Sequence, residues 1–182
     1  MKIPSRLILI PVCVAGFLFG NGGLFAQDLA PSSIPDSIKA PATDKLAMTV
    51  TAKGVQIYEC RSKKDDPTQF EWALKAPEAD LFDASGKKVG KHYGGPTWES
   101  NDGSKVVGEV KGRFDSPDGS IPWLLLAAKK TDGTGVMGKV TSIQRISTEG
   151  GKAPAGGCDA AHSGTELRVN YNATYLFYVA KE

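Results

Sequence analysis

From residue 46 onward, apolar and polar side chains alternate at period two along most of the chain, and the elements they predict are strands. Leu46, Met48 and Val50 alternate with polar neighbours, Ala52-Lys53-Gly54 reads as a turn, and Val55 to Arg61 alternates again. Tyr58 and Cys60 fall on one face of that second run and Val55 and Ile57 on the other, which predicts a β-hairpin. Phe70, Trp72 and Leu74 predict a strand with one strongly apolar face. Leu81-Phe82 and Lys88-Val89 flank a tight turn at Ala84-Ser85-Gly86. Gly94-Gly95-Pro96 is expected to bend or bulge the strand after Tyr93, because proline lacks the ladder donor. Asn101-Asp102-Gly103 is a hairpin turn, since these residues tolerate positive φ.

The return strand places Val106, Gly108, Val110, Gly112 and Phe114 on one face, with Lys105, Val107, Glu109, Lys111 and Arg113 opposite. Ile121 to Ala128 is almost continuously apolar, the pattern of a strand buried on both sides; a short core helix is the rival, and Pro122 favours the strand. Val136 to Ile146 is β-branched and extended, and Gly150 to Gly157 is a Gly/Ala/Pro loop. In the last strand Val169, Tyr171, Ala173, Tyr175, Phe177 and Val179 form an unbroken apolar face. The sum is an all-β domain: an antiparallel β-sandwich or partly closed β-barrel of about eight strands.

Composition changes this picture mainly at the N-terminus. Lys2 and Arg6, the apolar run Leu7 to Phe19 and the site Leu24-Phe25-Ala26 form a signal peptide over residues 1–26. The run is shorter than the ~20 apolar residues that span a bilayer. Residues 27–44, with Pro31, Pro35 and Pro41, make an extended lead-in held to the domain by Ile34 and Ile38, and residues 45–182 form a single β domain. The expected location is secreted or periplasmic, with no membrane association once the signal is cleaved. The formal charge of +2 becomes neutral when Lys2 and Arg6 are removed. Only scattered lysine pairs remain, so nucleic acid is not an expected partner.

Of the 3 cysteines, Cys13 lies in the signal peptide, leaving Cys60 and Cys158. In an oxidising compartment these predict one disulfide, which closes a loop worth ~4–5 kcal/mol on the chain-entropy model. A metal pair is the rival, but there is no Cys-x-x-Cys spacing and no histidine near either cysteine in sequence. No metal site is expected.

The candidate chemistry concentrates between His92 and Ser104. His92 is one of only 2 histidines, and imidazole is the side chain that titrates near neutrality. With Glu99 or Asp102 it is the candidate acid/base pair for a carbohydrate or small polar substrate. Tyr93, Trp98, Trp123 and Asp115 are candidate ligand contacts, with a small molecule or glycan as the partner. Against this, nothing in the spacing fixes a nucleophile or an oxyanion site, the tryptophans suit a core equally well, and His162 reads as exposed. A non-enzymatic ligand-binding or structural module, with its site near His92–Trp98, is the preferred reading; a small exported enzyme is the alternative. Gly133-Thr134-Gly135-Val136-Met137-Gly138 matches G-x-G-x-x-G, but Lys139 to Gln144 is extended where a dinucleotide fingerprint needs a helix, so no cofactor is expected. Asn172-Ala173-Thr174 is a glycosylation sequon in a poor, mid-strand position.

Ordered blocks of sequence also carry a resemblance. They are Gly54-Val55-Gln56-Ile57-Tyr58-Glu59-Cys60, Ala76-Pro77-Glu78-Ala79-Asp80-Leu81, His92 through Glu99, Ile121-Pro122-Trp123-Leu124-Leu125-Leu126, Ile143-Gln144-Arg145, Gly150-Gly151-Lys152-Ala153-Pro154 and Tyr171 through Tyr178. The chain resembles the domain-of-unknown-function family 3455, secreted proteins of bacteria and fungi, over nearly all of residues 27–182. The resemblance implies no established activity and no catalytic residues. Some members carry a malate dehydrogenase label, which the glycine argument and the lack of any βαβ pattern oppose here.

Overall fold

A computed structural model describes residues 34–182. The signal peptide assigned to residues 1–26, and the lead-in as far as residue 33, lie outside the described residues. Eight strands follow: β1 (Asp44–Ser62), β2 (Phe70–Phe82), β3 (Lys88–Tyr93), β4 (Thr97–Ser100), β5 (Lys105–Phe114), β6 (Trp123–Asp132), β7 (Val140–Gly150) and β8 (Glu166–Ala180). Each pairs antiparallel with the next, and β8 pairs with β1 from Asp44↔Ala180 to Glu59↔Glu166. The sheet therefore closes on itself as a barrel, more completely than the sandwich or partly closed barrel expected from the sequence.

The hairpin expected in the first strands is absent. β1 runs unbroken through Ala52-Lys53-Gly54 and pairs on both edges. Gly54 is there for close approach: a Cβ at this position would sit 2.1 Å from the Glu78 carbonyl oxygen of β2. Gly94-Gly95-Pro96 is likewise a tight turn joining β3 to β4 and not a bend within one strand.

Along β8 the predicted apolar face holds, with Tyr171, Ala173, Tyr175 and Phe177 all buried. Residues facing them from the other strands include Val50 and Ala52 of β1, Leu81 of β2, Trp98 of β4, Val106 of β5 and Ile143 of β7. A second, smaller cluster lies on the outside of the wall. There Ile34 and Ile38 of the lead-in pack over Trp123, Leu125, Ile146, Leu176 and Tyr178. A 3₁₀ turn at Asp36–Ile38 shapes this segment, Ser37 Oγ donates to the Arg113 carbonyl (3.3 Å), and Gln144 Nε2 donates to the Ile38 carbonyl. This cover explains why Ile121 to Ala128 looks buried on both sides: Leu124 and Leu126 face inward while Trp123 and Leu125 face the lead-in.

The two ends of the barrel differ. At the end holding the β4–β5 turn, a 3₁₀ turn at Val136–Lys139 seals the interior with the buried Met137. Asp102 and Ser104 hold that plug. The Asp102 carboxylate accepts from the backbone N–H groups of Ser104 (2.8 Å) and Val136 (3.0 Å), and Ser104 Oγ accepts from Met137 N–H (3.0 Å). A Cβ at Gly135 would lie 2.2 Å from the Asp102 carboxylate, so that glycine of the G-x-G-x-x-G run lets the turn dock. No α-helix follows; β7 begins at Val140. The other end is stapled by the disulfide between Cys60 and Cys158, with Cα atoms 5.4 Å apart. The loop beside it is hooked on by Tyr58, whose hydroxyl donates to the Gly151 carbonyl (2.7 Å), and by Trp72, whose indole donates to Gly156 (2.9 Å).

Candidate functional site

The stapled end of the barrel is hollow. A cavity of about 640 Å³ enters between β2, β5, β6 and the β3–β4 turn and reaches in to Gln56, Trp98 and Tyr175. This size lies within the range of small-molecule pockets, ~300–1,000 Å³.

Its inner wall comes from the stretch His92–Trp98. His92 and Trp98 are directly paired across β3 and β4, so both side chains point into the barrel. Their rings stack with centroids 4.3 Å apart and 11° between planes, and Tyr175 meets both edge-on. His92 Nδ1 donates to the Thr97 carbonyl oxygen (2.8 Å), which selects the tautomer with Nε2 as acceptor. Burial pushes the imidazole pKa down to about 3, with the positive charge of Arg145 adding to the effect against the Thr97 hydrogen bond, so His92 is neutral at physiological pH.

The carboxylates proposed as its partners are elsewhere. Period-two alternation turns Tyr93 and Glu99 to the opposite, outer face, where the Tyr93 hydroxyl donates to Glu99 (2.8 Å). Lys91 and Lys105 lie 3.4 Å from the same carboxylate. The Tyr93 hydrogen bond, then the lysines, hold Glu99 below the usual carboxylate range. Asp102 is in the plug-holding turn, where hydrogen bonds from the Ser104 side chain and backbone lower its pKa to about 2. The structure thus does not bring His92 together with Glu99 or Asp102, and the acid/base arrangement expected from the sequence is not assembled. Among the ligand candidates only Trp98 lines the cavity. Trp123 lies outside the wall against Phe114 and the lead-in, and Asp115 is an exposed loop residue 3.6 Å from Arg113. His162 is exposed, as expected, beside Asp159. Among the described residues no group of three or more His, Cys, Asp or Glu side chains is placed to hold a metal ion.

Sequence reasoning missed the residues that give the cavity its polarity. Gln56 and Tyr58 project inward from β1, Arg145 from β7, and Arg113 from the far end of β5. Arg145 sits between Leu124 and Tyr175 in register, and its Nε and Nη2 both donate to the Pro122 carbonyl oxygen (3.0 and 2.9 Å). Three polar atoms on the lining residues lack a hydrogen-bond partner of good geometry: Gln56 Nε2, Trp98 Nε1 and the Tyr175 hydroxyl, which has Tyr171 and Arg145 beside it. Two of these residues were accessible to a phase argument. Gln56 shares the face of Tyr58 and Cys60, and Arg145 shares that of Ile143. Arg113 was not, because a β-bulge between Val110 and Gly112 reverses the phase of the strand and turns Arg113 inward.

Residues 41–179 match the family described as "Protein of unknown function (DUF3455)", and the chain belongs to it. No curated protein and no solved structure matches the chain.

Proposed function

We propose that this is an exported, non-enzymatic binding protein that holds one small molecule in the open end of its barrel. The observation that carries the proposal is the 640 Å³ cavity itself, whose wall is mostly apolar yet presents unpartnered polar atoms at Gln56, Trp98 and Tyr175. Eight strands enclose a space that side chains can just fill, or that holds one small ligand. Here the chain fills one end and leaves the other open, while buried polar groups in a protein core are ordinarily paired. Export is supported by the N-terminal sequence pattern and agrees with the disulfide, which persists in oxidising compartments. The neutral, stacked His92 serves in this reading as part of the wall and not as a proton carrier.

The test is a thermal-shift screen of the processed protein against glycans, organic acids, apolar amphiphiles and nicotinamide cofactors. It is run in parallel on a variant whose cavity is filled from an inward-facing wall position, Leu124→Trp. A ligand at saturating concentration raises the melting temperature by mass action. The expected result is a set of compounds that stabilise the native protein and not the filled variant. Equal stabilisation of both, or no stabilisation by any compound, overturns the proposal.

A further inference from the structure

The cavity wall has a one-sided charge. Lys75, Arg113, Arg145 and Lys152 line it, and no Asp or Glu does. Three of these cations are accounted for at the surface. Lys75 lies against Glu59 and Glu166, Arg113 has Asp115 nearby, and Lys152 is exposed on the rim loop. Arg145 is different. It is placed inside the barrel, and among the described residues no carboxylate lies within ion-pair distance of it. Its two protein hydrogen bonds go to a single neutral acceptor, the Pro122 carbonyl. A guanidinium has five N–H donors in a rigid fork, so three remain to be used. The charge is felt around the whole chamber, acting on Tyr58, His92, Tyr171 and Tyr175.

Arg145 is half-buried, so its charge is only partly withdrawn from water, and a half-buried charge with no counter-charge forgoes the pairing such groups usually make. An anion supplied from outside would complete the site, and a carboxylate matches the planar fork with charge-assisted hydrogen bonds. The rest of the wall describes the remainder of such a ligand. Leu124 and Leu126 flank Arg145, the stacked His92–Trp98 pair forms a flat aromatic surface, and Leu74 and Val110 stay 56% and 51% exposed at the mouth. Exposed apolar side chains on both sides of an entrance suit an apolar body that reaches the rim.

Building on the binding function above, we infer that the ligand is an amphipathic monocarboxylate, its carboxylate seated on Arg145 and its apolar body running between Leu124 and Leu126 toward Leu74 and Val110. Arg145 is the specificity-determining residue, and the tyrosine and glutamine side chains beside it are positioned to add neutral hydrogen bonds.

The experiment is isothermal titration calorimetry of the delipidated, processed protein with a matched series: decanoate, decanamide, decylamine and 4-phenylbutyrate. The native protein is expected to bind decanoate at least tenfold more tightly than decanamide and to bind decylamine least. Arg145→Met is expected to abolish the preference for acid over amide while binding of decanamide persists, and Arg145→Lys to keep part of the preference. Because a variant can fail to fold, the native series stands alone as the first arm. Amide or amine binding as tight as acid overturns the carboxylate assignment and leaves the cavity as a binding site. Acid preference unchanged in a folded Arg145→Met protein overturns the role of Arg145. Absence of binding by every compound overturns the inference; if the broader thermal-shift screen is also empty, the binding function fails with it.

Discussion

The two ends of the barrel are held by different means. At the plugged end, Trp98, Phe177, Leu81, Val106 and Met137 fill the interior, and the β4–β5 turn is tied across it through Asp102 and Ser104. At the open end the interior is a cavity, and cross-links stand in for a core: the Cys60–Cys158 bridge and the hydrogen bonds of Tyr58 and Trp72 to the neighbouring loop. Leaving a barrel hollow forgoes dispersion contacts and apolar burial that filling would provide. On the binding function proposed above, an end that gives these up and is then cross-linked keeps its shape for a ligand.

The largest way to break this comparison is to remove the staple. The bridge spans a sequence separation of 98, and loop closure of that length contributes ~4–5 kcal/mol on the chain-entropy model. Cys60→Ser with Cys158→Ser is expected to lower the stability measured by urea denaturation by about that amount. Hydrogen exchange should show the increase concentrated in β1 beyond Tyr58, the loop after β7 and the start of β8. A uniform increase across both ends would contradict the division of labour. Next in size, Phe177→Ala at the plugged end should cost ~3–5 kcal/mol, the usual range for truncating a buried aromatic. Leu74→Ala at the mouth should cost less than about 0.5 kcal/mol, because Leu74 is already 56% exposed. Similar losses for the two would mean that the open end is packed in solution.

How much of this was legible in the sequence follows the same division. Strand phases predict which side chains fill the plugged end, because Tyr171 to Phe177 and Val106 sit in long uninterrupted alternations. Register shifts occur at both ends, but at the open end those at Ile57/Tyr58 against β2 and at Val110/Gly112 in β5 fall among the residues that line the cavity. A bulge leaves no periodic mark, so period two alone puts Arg113 on the wrong face, while Leu74 keeps the phase of Trp72 and is exposed because it stands at the mouth. Trp123 was misplaced for another reason. Its burial comes from the lead-in, a segment distant in sequence from β6, and local pattern carries no information about that contact. The Asp102-Gly103 turn is legible locally, but its docking on the segment 133–138 depends on closure of the barrel.

His92 offers a finer probe, because it lies between the two ends. Its folded pKa of about 3 is below the unperturbed value of 6.5, so between those pH values the unfolded chain binds more protons than the folded one. Its contribution is therefore complete above pH 6.5 and declines as pH falls toward 3, by at most about 1.4 kcal/mol per pH unit. Across the two units below 6.5 this amounts to roughly 2–3 kcal/mol. Asp102, at about 2, and the other carboxylates held low add their losses only at more acid pH. Urea midpoints of the native protein and of His92→Gln, compared from pH 7 to pH 4.5, should diverge at pH 7 and converge toward pH 4.5. Parallel curves would show that His92 is hydrated through the open end in solution and titrates normally.

The smallest effect tests the cavity directly. Gln56 is 2% exposed, and its Nε2 has no protein partner. A buried amide donor left unsatisfied costs ~1–3 kcal/mol relative to a satisfied one, and replacement by an apolar group of similar shape removes that penalty. Gln56→Met, close in length and volume, is expected to raise stability by about 1 kcal/mol in the ligand-free protein. If the amide serves a ligand, the same variant should gain less from a stabilising compound found in the thermal-shift screen. A more stable apo protein with a smaller ligand-induced shift is the signature of a polar group kept at the open end for binding. Loss of stability in the apo variant would instead place Gln56 in a hydrogen-bonded solvent network and make its burial structural.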